Sequence, residues 1–501
     1  MRPAQATTDI WAKLLPRFSG SSATMQGRIK EMMVRSILDG LVPIGAAVPP
    51  SRSLALALGV SRNTVSLALQ MLVDKGFLVS RERSGLFVNP DIVLGQASRS
   101  QDPDQSSSRV GWGGRLKTAV SQQRNIAKPA NWQDFAYPFI YGQFDASLMP
   151  LADWRACSQQ SLLAPAVRKW SQDHVDRDHD GLISQIQHRL LPARGIVANR
   201  DEILLTSGAQ MACYLLANVL IGRDTVVGME DPGYPDARNN FELRSDHVMS
   251  LAVDEDGLVP SRRLAQCNYV YVTPSHQCPT SVTMPLQRRQ NLLALARKKD
   301  IVLFEDDHES ELNFTGRPLP ALKSMDQEGR VIYLGSLSKT LAHGLRLGYI
   351  VAPSELIHEL RAMRRLMIRH VPSNIAHIAS LFIAQGHHDA FIRKLNLTYR
   401  DRRQVLLGAL ARWLPDCAVS VAHGGSGAWV RGPIDLEALA LAEACRARGV
   451  LIEPGSLFFA RPGTANQNCF RMGYSAIPSA AIEAGVREMA EARRHTPGAK
   501  S

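Results

Sequence analysis

The stretch Ser336–Tyr349, SLSKTLAHGLRLGY, decides how the rest of the chain is read. An apolar run, VIYL at 331–334, carries the chain into it. Lys339 then sits among small hydroxyl residues, with Arg346 about two helical turns' worth of residues farther on. A surface lysine needs no such setting. An amine that bonds covalently to a carbonyl does.

Similar runs precede and follow this one. EILLTSG (202–208), TVVGMEDPGY (225–234), YVYVTPSH (269–276) and IVLFEDD (301–307) are each of strand length, and each ends in polar or turn residues. Longer helical patterns separate them. This alternation predicts a mostly parallel sheet covered by helices, with functional loops at the carboxyl ends of the strands. It extends from about Trp132 to 495. Before it, residues 91–131 include GQASRSQDPDQSSSRVGWGG, a polar stretch that reads as a flexible linker.

Residues 20–90 follow a different pattern. Ile29, Met32, Met33, Ile37 and Leu38 recur at helical spacing, and Gly40 is a plausible stop. Ser51 is expected to cap a second helix, Gly59 to end it and Ser61 to cap a third, with Val65, Leu69 and Leu72 on its buried face. Two helices joined by a tight glycine turn form a helix-turn-helix. Arg62, Asn63 and Thr64 fall in the first turn of its second helix, the end that enters a major groove. FLVSRERSGLFV then reads as a two-stranded wing with Arg81, Arg83 and Gly85 at its tip, suited to phosphate or minor-groove contact.

The bulk composition agrees with a multidomain, globular chain. It has 501 residues, 45% hydrophobic and 21% charged, which suggests two to four domains. A net charge of +12 makes a polyanion a plausible partner without choosing one. The seven cysteines are scattered and form no C-x-x-C, so neither a disulfide framework nor a zinc or other metal site is expected, and a reducing cytoplasm fits. No run approaches the length of a membrane span, and the first residues lack a leader's apolar core.

A lysine that forms a Schiff base implies an aldehyde, of which pyridoxal 5′-phosphate is the common biological form. Such a site needs a carboxylate for the pyridine nitrogen, an aromatic face and phosphate donors. Asp306 should reach a strand end, although a lone aspartate also serves as a cap or a surface acid. Tyr234, in a turn beyond a strand, can stack on a ring or fill a loop core. At Ser207-Gly208-Ala209-Gln210 a strand meets a helix, whose first N–H groups form an anion site. Ser336, Ser338 and Arg346 can add phosphate donors.

Two resemblances follow. Residues 24–88, through VSRNTV and GFLVSRERSGLFV, resemble the GntR winged helix-turn-helix regulators, which implies DNA contacts by Arg52, Ser61, Arg62, Thr64 and Gly85. Residues 135–492, through TSGAQ, EDPGYP, VTPSHQCPT, FEDD, SLSKT and RLGY in that order, resemble the fold-type I aminotransferases. The pairing resembles the MocR subfamily of GntR regulators. The implied fold is a winged helix-turn-helix followed by an α/β aminotransferase fold of type I.

This resemblance makes Lys339 the Schiff-base lysine, Asp306 the partner of the pyridine nitrogen and Tyr234 the stacking ring. It puts Ser207, Gly208, Ala209, Ser336 and Arg346 at the phosphate, and His276 and Gln277 in the loop near the ring hydroxyl. Arg471, in FRMGYSAI, matches the arginine that grips a ligand carboxylate, though it can also be structural. Three departures stand out. His308 replaces the usual tyrosine near the ring oxygen, and Ser281 replaces the usual glycine. WSQDHVDRDHDGL (170–182) stands where a tyrosine- and glycine-rich stretch normally reaches a neighbouring subunit's site.

The resulting expectation is a regulator that binds operator DNA. It senses an amino compound, carboxylate-bearing if Arg471 is used, through an external aldimine that displaces Lys339. The resemblance also implies a head-to-tail homodimer. The alternatives are an active aminotransferase tethered to a DNA-binding head, and a cofactor-free dimerisation scaffold. Lys339, Asp306 and Arg346 together argue against the last.

Overall fold

The computed structural model describes residues 8–18, 24–82, 84–92, 111–314, 319–461, 463 and 466–494. The chain divides into two compact units, Met1–Lys117 and Thr118–Ser501.

The first unit contains helices α1 (Thr8–Leu14), α2 (Met25–Leu38), α3 (Ser51–Leu58) and α4 (Arg62–Asp74), then the hairpin β1 (Leu78–Arg81) and β2 (Gly85–Val88). α3 and α4 are bent by 117° about the turn at Gly59, whose φ of 66° suits a residue without a Cβ. Ile29, Met32, Met33 and Ile37 are buried with Val65, Leu69 and Leu72 in one core. Each such side chain contributes about 1.5–3 kcal/mol by leaving water. Leu38, expected on the same stripe, is half-exposed because the helix ends there. Ser51 is not a cap either: Pro50 occupies that position and Ser51 is the first helical residue. The unit also starts earlier than expected, since Trp11 and Leu15 are buried in its core.

In the second unit, β3 (Tyr137–Pro138) is followed by eight strands that form the main sheet. These are β4 (Ile203–Thr206), β5 (Val226–Asp231), β6 (His247–Asp254), β7 (Gly257–Leu258), β8 (Tyr269–Val272), β9 (Val302–Asp306), β10 (Val331–Ser336) and β11 (Gly348–Val351). Their order is β4-β11-β10-β9-β8-β5-β6-β7. The pairs among β10, β9, β8, β5 and β6 are parallel, while β11 is antiparallel to both β4 and β10. Alternate residues serve opposite faces: Leu204, Phe304, Ile332 and Ile350 enter one core, Leu205, Tyr333 and Tyr349 the other. A smaller sheet joins β12 (Ala418–Val419), β13 (Gly427–Arg431), β16 (Cys469–Gly473) and β15 (Glu453–Pro454), while β14 (Val450–Leu451) pairs with β3.

The expected linker at 91–131 ends sooner than its composition suggests. From Thr118 onward the chain belongs to the second unit. The Arg124 guanidinium donates to the carbonyls of Phe459 (3.0 Å) and Ser456 (2.5 Å), and Asn239 bonds the backbone and side chain of this arm. The departing segment 170–182 is also tied down within its own unit. Asp178 is buried and accepts from Arg361 and Arg364, while Asp173 pairs with Arg369 at 2.5 Å.

Candidate functional site

The carboxyl ends of β4, β5, β8, β9 and β10 converge on a cavity of about 330 Å³, within the range of small-molecule sites. Lys339 stands in the loop between β10 and β11, which Ser338 closes by bonding both the carbonyl and the N–H of Leu347, each at 3.1 Å. The Lys339 Nζ lies 4.3 Å from the centroid of the Tyr141 ring. Burial lowers its affinity for a proton, partly opposed by Glu309. A less protonated amine is the nucleophilic form.

Asp306, the last residue of β9, accepts a short hydrogen bond from Tyr271 through one oxygen. Its other oxygen, Oδ1, is buried and has no hydrogen-bond partner among the described residues. A carboxylate in the lining of a cavity that also contains Lys339 is what a protonated pyridine nitrogen requires. His308 Nδ1 is 3.6 Å from Oδ1. Burial disfavours its cationic form, but Asp306 and Glu309 outweigh this and raise its pKa.

At the other end, Gly208 and Ala209 open the helix Ala209–Leu220, with free N–H groups toward the cavity. Gly208 has φ 86°, and a Cβ there would lie 3.1 Å from the Arg346 guanidinium. Gly348 is equally constrained, because its Cβ would come within 2.9 Å of Gly208 Cα. The motif RLGY is thereby explained: glycine lets β11 close on β4, and Arg346, itself at φ 51°, reaches across. Ser336 and Tyr234 line the same cavity, and Tyr234 donates to Asp236 at 3.0 Å. These groups fit pyridoxal 5′-phosphate: an amine, an acceptor for the ring nitrogen, an aromatic face and a phosphate cradle.

Several expected residues have other duties. Ser207 does not line the cavity; its carbonyl accepts from Arg346 at 3.1 Å. Ser338 is at the wall, but its proton is committed to Leu347. His276 and Gln277 are buried behind the cavity, not in it. Gln277 donates to the carbonyls of Pro232 and Cys278 and accepts from Thr280, so it shapes the loop instead. The wall position belongs to Cys278, whose thiol burial pushes up to about 12, keeping it protonated. Ser281, with φ 60°, occupies a backbone conformation that favours glycine, and its hydroxyl donates to Gly427 at 3.2 Å.

Arg471 does reach the cavity. Its Nε donates to Glu453 at 2.7 Å, and its guanidinium stacks between the rings of Tyr141 (4.1 Å) and Phe458 (4.5 Å). Its Nη2 is buried and has no hydrogen-bond partner among the described residues. Sequence reasoning missed Lys128, Tyr141, Cys278 and His343. Both ring nitrogens of His343 are buried without hydrogen-bond partners among the described residues, and burial with Lys339, Lys128 and Arg346 nearby pushes its pKa to about 2, so the imidazole is neutral.

In the first unit, Ser61 caps α4 by accepting from the Thr64 N–H at 3.1 Å, and the two hydroxyls bond each other at 2.8 Å. This projects Arg62 and Asn63 into solvent beside the exposed Arg52. Arg81 is exposed on the hairpin with its guanidinium 4.5 Å over the Phe87 ring, and pairs in register with Gly85 at φ 96°. Arg83 lies outside the described residues.

The chain matches the family Aminotransferase class I and II over residues 169–489, and the family Bacterial regulatory proteins, gntR family, over residues 25–88. It is 39% identical over 477 residues to the HTH-type transcriptional regulator TauR of Rhodobacter capsulatus, covering 95% of this chain and 98% of that protein. It is 30% identical to the probable rhizopine catabolism regulatory protein MocR of Rhizobium meliloti, covering 93% of each. Among solved structures, the α-aminoadipate aminotransferase LysN of Thermus thermophilus shares the fold with a TM-score of 0.70 at 24% identity, covering 77% of this chain and 98% of that one.

Proposed function

Because this chain belongs to the MocR-type regulators, in which a GntR-family DNA-binding domain precedes an aminotransferase class I and II domain, we propose that it couples transcription to an amino compound recognised at Lys339. The aminotransferase domain binds pyridoxal 5′-phosphate. When bound, the cofactor would supply an electrophilic carbonyl carbon for which the Lys339 amine and an incoming primary amine compete, with no change of oxidation state.

The chain's own residues do the rest. Asp306 Oδ1 keeps the ring nitrogen protonated, and Tyr234 covers the ring. Gly208, Ala209, Ser336 and Arg346 hold the phosphate, and Arg471 Nη2 receives an anionic group of the effector. Arg52, Arg62, Asn63, Thr64, Arg81 and Gly85 face the operator. The effector shifts transcription by favouring one arrangement of a head-to-tail homodimer over another. The proposed location is the cytoplasm.

The observation that supports this reading most strongly is Asp306 Oδ1, which is buried, makes no hydrogen bond among the described residues and belongs to a residue lining the cavity that holds Lys339. Borohydride treatment followed by peptide mass mapping is expected to place a pyridoxyl group on Lys339, and Lys339→Ala to abolish both the adduct and the visible absorbance. An adduct elsewhere, or none, defeats the reading. Accumulation of a keto acid from the amino compound would favour a working aminotransferase instead of a sensor.

A further inference from the structure

The arm that sequence composition assigns to a linker delivers a cation into the cavity. Arg124 and Asn239 anchor it to the large unit, and Ile126 and Lys128 then form part of the cavity wall. The Lys128 Nζ donates to the Tyr141 carbonyl and lies 4.0 Å from Glu453 Oε1. A Cβ on Gly142 would meet this amine at 3.2 Å and the Lys339 amine at 3.1 Å, so the two lysines converge on the same point.

Two cations meet one carboxylate here. Arg471 and Lys128 share Glu453, of which Oε2 is bonded to Arg471 and Oε1 has no hydrogen-bond partner among the described residues. Glu309 and Asp236 are nearby carboxylates too, accepting from Ser426 and from Tyr234 and Gln210. Arg471 Nη2, buried and without a partner among the described residues, is the donor beside Lys128 that an entering anionic group would satisfy.

We propose that Lys128 is a specificity-determining residue that binds, together with Arg471, the anionic group of a compact amino compound whose amine takes the place of Lys339. This rests on the function proposed above and deepens it. The effector is then a primary amine joined by a short carbon chain to a carboxylate or sulfonate, because Lys128 and Lys339 converge on one glycine. Lys128 also stands on the segment through which the chain continues toward the DNA-binding unit, so the residue that reads the anion lies on the covalent route between the two units.

The test uses the full-length, cofactor-loaded protein and follows the visible spectrum during titration with 4-aminobutyrate, 3-aminopropanesulfonate and n-butylamine. Wild type is expected to bind at least one anionic amine about ten-fold or more tightly than the neutral one, the scale of one charge-assisted hydrogen bond. Lys128→Gln should lose roughly ten-fold on that compound and nothing on n-butylamine, and Lys128→Arg should restore most of the preference. The preferred anion distinguishes carboxylate from sulfonate. Equal weakening of all three amines, or an unchanged preference in Lys128→Gln, overturns the proposal and leaves Lys128 as a brace for the Tyr141 carbonyl. No preference in the wild type also overturns it. Absence of the cofactor band in the wild type sinks the underlying function as well, and is thereby distinguished from failure of the Lys128 assignment alone.

Discussion

The two units handle positive charge in opposite ways. Arg52, Arg62 and Arg81 of the first unit are exposed. In the second, which also has exposed arginines such as Arg223 and Arg297, Arg194 and Arg289 are buried and held by specific acceptors. Arg194 donates to Asp307 at 2.7 Å and to Ser275 at 3.0 Å; Arg289 donates to the carbonyls of Met284, Pro274 and Pro320. An exposed cation keeps its hydration until a phosphate replaces it, so its energetics are long-range and salt-dependent. A buried cation must be satisfied in advance, so its energetics are local and nearly indifferent to salt. One unit is built to meet a polyanion in water, the other to hold a small ligand away from it.

Asp307→Asn tests the buried side of that contrast most severely. Removing the charge opposite Arg194 is expected to destabilise the large unit by about 3–5 kcal/mol, measured by denaturant unfolding. Burial alone would raise the Asp307 pKa, but Arg194, with help from Ser275 and Tyr333, holds it at about 2. The folded value is below the unfolded one of about 3.9, so the stabilisation is complete above that pH and is lost as pH falls toward 2. The substitution should therefore also flatten the acid limb of the stability profile. An unchanged limb would show that the pair contributes nothing.

Asp306→Asn comes next. Losing a charged acceptor for the ring nitrogen should weaken cofactor binding by about 2 kcal/mol, roughly thirty-fold, read by dialysis and absorbance, with operator affinity of the cofactor-loaded protein unaffected. Arg62→Ala should do the reverse. Operator affinity is expected to fall about ten-fold and the salt dependence to become shallower by about one counterion, while the cofactor spectrum stays as it was. Binding that ignores salt would erase the distinction between the units. Ser61→Ala is the mildest probe: loss of the α4 cap should destabilise the first unit by about 1 kcal/mol. A larger loss would mean that Ser61 and Thr64 support more than one helix end.

Much of the fold and of the cavity wall is legible in the amino-acid order. Lys339, Asp306, Tyr234, Gly208 and Arg346 sit in contiguous motifs at the ends of apolar runs, where strand geometry leaves little choice of direction. Ser61 was readable because a cap is a relation across three residues. His276 and Gln277 were misplaced because a loop's side-chain directions depend on its internal bonds, here those of Gln277 to Pro232, Cys278 and Thr280. Lys128 carried no signal, since its position depends on bonds such as that between Arg124 and Phe459, 335 residues apart.

The amino-acid order alone therefore determined the two-unit plan, the strand ends that gather around the cavity, the places of Lys339 and Asp306 in its wall, and the helix-turn-helix, because period, caps and turns act over a few residues. The tertiary structure alone decided which oxygen of Asp306 takes the Tyr271 hydrogen bond, that Cys278 and not Gln277 lines the cavity, that Arg471 shares Glu453 with Lys128, and that a polar arm completes the wall. Those outcomes depend on distances between residues remote in the chain, and only the packed core sets them.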